Sequence, residues 1–463
     1  MVETRAYIHE MIKVAAPLRR MRYFSIAAAL LATLIGLSIG WSGSAEAQSS
    51  RQASSVAEYI YTNARPQLLQ IRTLVIAAGR QSSIGSAFLV SADGLAITNY
   101  HVISQFALEP KTYRLEYTSA DGHVGPLQLL GIDLANDLAL VKIDRGDQPF
   151  LKFDDRATSG TLPNGERLYS MGNPLDLGFT IVEGTYNGLV ERSYTDRIHF
   201  SGAVNPGMSG GPTVTAESRI AGINVAKRLG SDLVSFLVPA RHALELLKRV
   251  QAGDIPPDGD FRAEIGRQLT AWQSTLYKTM ADDGFRASTF GAYKAVESAA
   301  PWFTCWAQTN AGRIPKPRAD VSSTTCNGET QLYIASDLTT GLVRIGQTYL
   351  QSTDLNQFQF ASLLSEQGLS EWSGRWSRRW QTPPRCTEDF VAIMPSSEHP
   401  PLRVVWCARA YRDFEGIYDT SLMAVTQDDG KRALVSRLIL QSVSYDNAIL
   451  LSKRFIEAIQ WAK

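Results

Sequence analysis

The sequence predicts a mostly β protein in which two β-barrels precede a disulfide-containing α+β region. Three observations carry that expectation. From Leu68 onward, short runs rich in Val, Ile, Leu and Thr are separated by Gly- and Asp-containing turns, the pattern of antiparallel barrels. The stretch Ala252-Gly253-Asp254-Ile255-Pro256-Pro257-Asp258-Gly259-Asp260 breaks regular structure and marks a boundary. All four cysteines lie beyond it, at 305, 326, 386 and 407.

Residues 1–47 read as a signal peptide or an N-terminal membrane anchor. Arg19, Arg20 and Arg22 precede an apolar run from Tyr23 to Gly40, and Ala45-Glu46-Ala47 offers a small-x-small cleavage site. The run is about 18 residues long, just enough to reach across a bilayer, so an uncleaved anchor competes with the preferred reading of cleavage. Either way the body of the protein leaves the cytosol for the periplasm or the exterior, soluble or anchored.

Residues 48–67 are expected to be a tether, Ser- and Gln-rich at its start. Residues 68–250 follow as one domain. Thr73-Leu74-Val75-Ile76 and Ser86-Ala87-Phe88-Leu89-Val90 read as strands, and Asp93-Gly94 as a hairpin turn leading into Leu95-Ala96-Ile97-Thr98. His101 is then expected at a strand end. Ala243, Leu244, Leu246, Leu247 and Val250 recur as one apolar face of a helix over 240–251. Residues 251–260 form a linker. Residues 261–463 form a C-terminal α+β domain of unknown role, opening with a helix over 261–280. It continues with hairpin-like strands, a helix near 357–366 and a final helix over 449–461.

The cysteines bracket two hairpin-like stretches of equal spacing. In an exported chain an even number reads as disulfides, and the chosen pairing is Cys305 with Cys326 and Cys386 with Cys407. A zinc site has neither a CxxC nor a neighbouring His cluster to support it, so no metal is expected. The equal spacing also raises the idea of an internal duplication, with coincidence as the plainer explanation. Trp372, Trp376 and Trp380 recur every four residues; burial in a small core is preferred to a ligand surface. The net charge is +1 and no basic run recurs after the N-terminus, which argues against a nucleic-acid partner.

The most informative stretch is Asn205-Pro206-Gly207-Met208-Ser209-Gly210-Gly211-Pro212. A serine among glycines can approach a carbonyl closely, with the amides of Gly207 and Ser209 aimed at the oxygen that becomes negative in acyl transfer. Thr98-Asn99-Tyr100-His101-Val102 supplies a base, and Asn136-Asp137-Leu138-Ala139-Leu140-Val141 a carboxylate to orient it. Gly207-Met208-Ser209-Gly210-Gly211 also satisfies G-x-S-x-G, but that elbow needs a helix after the serine and the acid and histidine downstream. Here 220–226 reads as strand, and only His242 and His399 follow, neither with a supporting motif. The order His, Asp, Ser leaves a chymotrypsin-like double β-barrel.

These motifs, with Gly85-Ser86-Ala87-Phe88-Leu89-Val90 and Ser235-Phe236-Leu237-Val238-Pro239, closely resemble trypsin-like serine proteases of the HtrA/Deg type. The resemblance covers residues 68–245, under half the chain. It implies a serine endopeptidase with His101, Asp137 and Ser209 as the triad and Gly207 and Ser209 as the oxyanion hole. It needs no cofactor, and its substrates would be unfolded or envelope proteins. By the same likeness Ala203 would floor the primary pocket and favour small or medium aliphatic residues. Val225 and Ala226 would pair with the substrate backbone. His199 either lines the pocket or holds a plain strand position, the second being preferred. Asp133 is read as a turn residue, and His123 and His399 receive no role. Trimers are also implied, although no segment responsible for them is identifiable. Two departures stand out: Met208 replaces the usual Asn, and the family's C-terminal PDZ modules are not recognisable. Met208 motivates the alternative of a binding, holdase or regulatory protein that retains a quiescent protease fold.

Overall fold

Short antiparallel strands close two barrels. The computed structural model describes residues 54–462 apart from 228–233, 255, 257–258, 298–299, 329, 369–376, 393–399 and 427–429. The leader, Trp372, Trp376 and His399 therefore lie outside the described residues, which belong to one compact unit, Ala53–Lys463. No helix among them is long and apolar enough to cross a membrane.

The chain enters through α1 (Ser55–Ala64), inside the stretch expected to be a tether. The sequence reading missed its cap: Ser54 Oγ accepts the Ala57 N–H at 3.1 Å. Ala57, Ile60 and Ala64 then fall on one face and are buried in the core of the second barrel. The first barrel follows, from β1 (Leu68–Val75), β2 (Arg80–Leu89), β3 (Leu95–Thr98), β4 (Tyr113–Ser119), β5 (Val124–Asp133) and β6 (Leu138–Ile143). It closes in the order β1-β2-β3-β6-β5-β4, with α2 (Tyr100–Leu108) between β3 and β4. After α3 (Asp155–Ser159), the second barrel uses β7 (Arg167–Gly172), β8 (Thr180–Leu189), β9 (Ile198–Phe200), β10 (Pro212–Val214), β11 (Ile220–Lys227) and β12 (Ser235–Pro239). Its order is β10-β11-β12-β9-β8-β7. Helix α4 (Ala240–Gln251) falls where its apolar face predicted and buries Ala243, Leu246, Leu247 and Val250.

Beyond the Pro-containing stretch, α5 (Phe261–Asp283) is capped by Asp260. There follow β13 (Ala287–Phe290), β14 (Tyr293–Val296), β15 (Phe303–Thr309), β16 (Ala319–Gly328), β17 (Leu332–Ala335), β18 (Leu338–Thr340) and β19 (Val343–Ser352). Then come α6 (Gln357–Gly368), β20 (Arg385–Val391), β21 (Leu402–Ala410), β22 (Ile417–Val425), β23 (Arg432–Ser444), α7 (Tyr445–Glu457) and β24 (Gln460–Trp461). Seven strands form an antiparallel sheet ordered β15-β16-β19-β23-β22-β21-β20. Successive residues of β22 and β23 serve opposite faces. Leu422 and Leu434 join α5 and α7 in one core, while Met423 and Val435 meet Phe360 of α6 in another. Each edge of the sheet is a hairpin closed by a disulfide between facing residues: Cys305–Cys326 across β15–β16 and Cys386–Cys407 across β20–β21. The last helix starts and stops earlier than expected. Ser444 caps it, and Trp461 leaves it to pair with Tyr293 of β14.

The core of the first barrel is continuous with that of the C-terminal sheet: Leu69, Tyr100 and Leu108 share one cluster with Leu269, Trp272 and Ile334. Gln268 reinforces the contact by donating to the Ile132 carbonyl at 2.9 Å and accepting the Leu134 N–H at 2.8 Å.

Candidate active site

His101 lies in the first turn of α2 rather than at a strand end. The helix is fixed from below by buried Tyr100, Val102, Ile103, Ala107 and Leu108. Asp137 ends the loop between β5 and β6 and takes a positive φ of 59°. Its two carboxylate oxygens are both occupied by His101: Oδ2 lies 2.7 Å from Nδ1, and Oδ1 accepts the His101 backbone N–H at 2.9 Å. The Asp137 carbonyl in turn accepts the Tyr100 N–H and Asn99 Nδ2, at 3.1 and 2.8 Å. Loop and helix start are thus locked together. The bond to the carboxylate keeps the proton on Nδ1 and leaves Nε2 as the basic atom. Burial acts to lower the His101 pKa, but the charge and hydrogen bond of Asp137 outweigh it, and the net shift is upward from 6.5.

Two neighbours brace the Asp137 loop. Asp133 caps its turn by accepting Asn136 N–H and Nδ2 at 3.1 and 2.9 Å, the turn role expected of it. Arg197, whose pKa is lowered by burial, reaches the Ala135 carbonyl at 3.4 Å and feels the charge of Asp137.

Ser209 sits on a turn between β9 and β10. Gly207 and Gly210 both take positive φ, 93° and 83°. At Gly210 a Cβ would stand 2.2 Å from the Ser86 carbonyl oxygen and 2.5 Å from Thr98 Oγ1, so only glycine brings the turn against the strand leading to His101. Ser86 grips this turn directly. Its N–H donates to the Ser209 carbonyl at 2.8 Å, and its hydroxyl donates to the Gly207 carbonyl at 2.7 Å. Fully buried Asn224 holds the other side, donating to Met171 and Met208 carbonyls at 2.8 and 3.2 Å and accepting the Ser170 and Thr213 hydroxyls, both at 2.7 Å.

The N–H groups of Gly207 and Ser209 have no acceptor among the described residues. Met208, between them, points its side chain into the core of the second barrel. The Ser209 hydroxyl donates to the Val225 carbonyl at 3.4 Å, and among the described residues no hydrogen bond joins it to the imidazole.

Beyond the pairing of Ile223 with Pro212, β11 has no strand partner on its β10 side, so Val225 and Ala226 present an open edge there among the described residues. Ala203 is half-buried just after β9, beside Val204, whose N–H donates to Ser235 Oγ at 3.1 Å. His199 occupies a strand position opposite Phe236.

The sequence reading did not assign roles to Ser86, Asn224 or Arg197. Asn224 left a signal, a lone amide inside the apolar run 220–226. Arg197 left none, because its loop partner is distant in sequence.

Residues 85–223 match the family model described as the trypsin-like peptidase domain. The chain is similar to a "Probable periplasmic serine endoprotease DegP-like" of Marinomonas sp. (strain MWYL1), with 32% identity over 38% of this chain and 37% of that protein. A protein of the same description from Chlamydia pneumoniae is 32% identical over 36% of this chain and 34% of its own length. The chain thus spans little more than a third of these relatives. Among solved structures it is similar to the "HtrA-type protease AlgWS227A with tripeptide", with 28% identity, TM-score 0.37, and coverage of 42% of this chain and 63% of that one. The serine endoprotease from Yersinia pestis is similar at 22% identity and TM-score 0.38, over 44% of this chain and 70% of its own.

Proposed function

We propose that residues 85–223, which match the model of the trypsin-like peptidase domain, are the catalytic part of an HtrA-type serine protease, and that the protein is an exported serine endopeptidase working through His101, Asp137 and Ser209. The observation that carries the reading is the doubly engaged Asp137–His101 pair, with Nδ1–Oδ2 at 2.7 Å, facing a turn with two unpaired amides. Ser209 Oγ swings from the Val225 carbonyl to Nε2 of His101, which takes its proton as Oγ attacks the scissile carbonyl. The N–H groups of Gly207 and Ser209 receive the oxyanion. His101 then protonates the departing amine, and water hydrolyses the acyl-enzyme by the reverse sequence. Asp137 holds the tautomer and stabilises the imidazolium.

Substrate is read along the open edge of β11, where Val225 and Ala226 add the peptide as a strand. Ala203 floors the primary pocket with a methyl group and no carboxylate, favouring small or medium aliphatic residues before the cut. Unfolded or envelope proteins are the substrate class, in keeping with the periplasmic description of the relatives. The division into a catalytic domain (68–250), a linker (251–260) and a regulatory or targeting domain (261–463) belongs to this reading, as does assembly into trimers. Digestion of casein should vanish on Ser209→Ala; undiminished digestion would refute the assignment.

A second reading, a holdase with a quiescent protease fold, draws on the Ser209 hydroxyl's bond to Val225 rather than to His101. Suppression of client aggregation that is equal in wild type and Ser209→Ala, without cleavage in either, would favour it.

A further inference from the structure

The C-terminal domain reaches the imidazole. The β17–β18 hairpin lies on α2, and its Tyr333 ring meets the His101 ring near-perpendicularly, with centroids 5.9 Å apart and planes at 70°. We infer that Tyr333 is a positioning residue for His101, supplied to the catalytic barrels from outside them. The inference rests on His101 being the general base and deepens that reading by assigning the C-terminal domain a part in the site.

The hairpin is tied down on both sides of the ring. The hydroxyl of fully buried Tyr100, the residue before His101, donates to the Ile334 carbonyl at 2.9 Å. At the hairpin turn, Asp337 accepts Trp380 Nε1 at 2.8 Å and the Ser377 hydroxyl at 3.0 Å. Trp380 is itself buried, and the neighbouring Arg379 pairs with Glu109 just past the end of α2. At the base, Thr340 of β18 bonds the Ser442 hydroxyl at 2.7 Å. Tyr333 also pairs with Tyr100 edge-on at 6.4 Å, and the Ser104 hydroxyl donates to the His101 carbonyl at 3.2 Å. The Tyr333 ring therefore packs against the first turn of α2.

Two consequences follow for the imidazole. A perpendicular aromatic neighbour limits ring rotation away from Asp137, preserving the Nδ1–Oδ2 bond while Ser209 is being deprotonated. It also covers part of the ring against water. Among the described residues the titratable groups that meet His101 are Asp137, from the loop before β6, and Tyr333 of β17. Arg197 acts on Asp137.

The test uses the full-length protein and two readouts, one independent of activity. His101 is one of six histidines; its ring Cε1–H signal in NMR, assigned by its loss in His101→Gln, is titrated in wild type, Tyr333→Ala and Tyr333→Phe. In parallel, the rate constant for labelling Ser209 with a fluorophosphonate is measured. Tyr333→Ala is expected to slow labelling about two- to tenfold and to raise the His101 titration midpoint, because water reaches the ring. Tyr333→Phe should restore both towards wild type. Exposed Asp337→Ala frees the turn while keeping the ring; it should give smaller changes of the same sign, and it replaces Tyr333→Ala if near-UV circular dichroism shows that variant unfolded. An unchanged titration and rate in the Ala variants overturns the inference, as does a Phe variant as impaired as Tyr333→Ala. If wild type does not label yet the His101 signal responds to Tyr333→Ala, the positioning stands and the endopeptidase reading falls.

Discussion

The N–H of Ser86 donates to the carbonyl of Ser209 at 2.8 Å, so a strand of the first barrel holds the nucleophile turn of the second. The Ser86 hydroxyl adds a donor to the Gly207 carbonyl at 2.7 Å and an acceptor for the Asn173 N–H at 2.9 Å. In the proposed mechanism base and nucleophile come from different barrels, and this residue ties the Ser209 turn to the first of them.

Ser86→Ala removes both hydroxyl bonds in a buried place while leaving the backbone bond. It should destabilise the fold by about 1–3 kcal/mol. Because the Gly207 peptide loses its anchor, fluorophosphonate labelling should slow by about tenfold or more. Urea melts and labelling rates check the two effects, and a variant that keeps wild-type values in both would show the grip to be unimportant.

The His101 pKa ends above 6.5 because Asp137 more than offsets burial. A general base must be neutral, so the acid limb of the labelling-rate profile should lie above pH 6.5, with rates rising through it. Asp137→Asn removes the favourable charge and leaves burial, which moves the limb below 6.5 while rates fall by about 10³–10⁴. Linkage has the opposite sense for stability. With the folded pKa raised, protonated His101 stabilises the fold fully below its unfolded pKa, and that contribution fades as pH rises through the folded value. An acid limb below 6.5 in wild type would contradict this.

In the C-terminal sheet, Asp419 is fully buried and its Oδ2 accepts Arg409 Nε and Nη2 at 3.0 and 2.8 Å and Gln381 Nε2 at 2.7 Å. Oδ1 accepts the Tyr411 hydroxyl at 2.8 Å and the Ser442 N–H at 3.1 Å. Asp419→Ala strands a buried guanidinium and should cost about 3–5 kcal/mol. Denaturant unfolding that is unaltered would remove this network from the account of domain stability.

Each disulfide closes a hairpin with a sequence separation of 21. In the chain-entropy picture, loss of either should cost about 3 kcal/mol. Replacing Cys386 and Cys407 by Ser and comparing unfolding midpoints checks this, and a midpoint equal to wild type would argue against a stabilising role.

What could be read from the sequence was local. The turn around Ser209, the Asp93-Gly94 hairpin, the apolar face of α4 and both cysteine pairings are encoded within a few residues or one hairpin, and their outcomes followed. Helix α1 was lost because its signal is one capping serine, Ser54, in a Ser-rich stretch. The α2 start escaped because the side chain of Asn99 does not cap it; the Asp137 carbonyl, from the loop before β6, accepts the Tyr100 N–H instead. The join between Tyr100 and Ile334 spans 234 residues, a pairing that periodicity cannot announce. Trp380 shows the same limit: its burial was anticipated, its partner Asp337 was not.

The most direct measurement is intact-mass and peptide-mass analysis after exposure of the full-length protein to a fluorophosphonate. The account predicts one adduct, on the peptide containing Ser209, abolished by Ser209→Ala and strongly slowed by His101→Gln. No adduct under any condition, or an adduct formed at the same rate without the His101 imidazole, would contradict it.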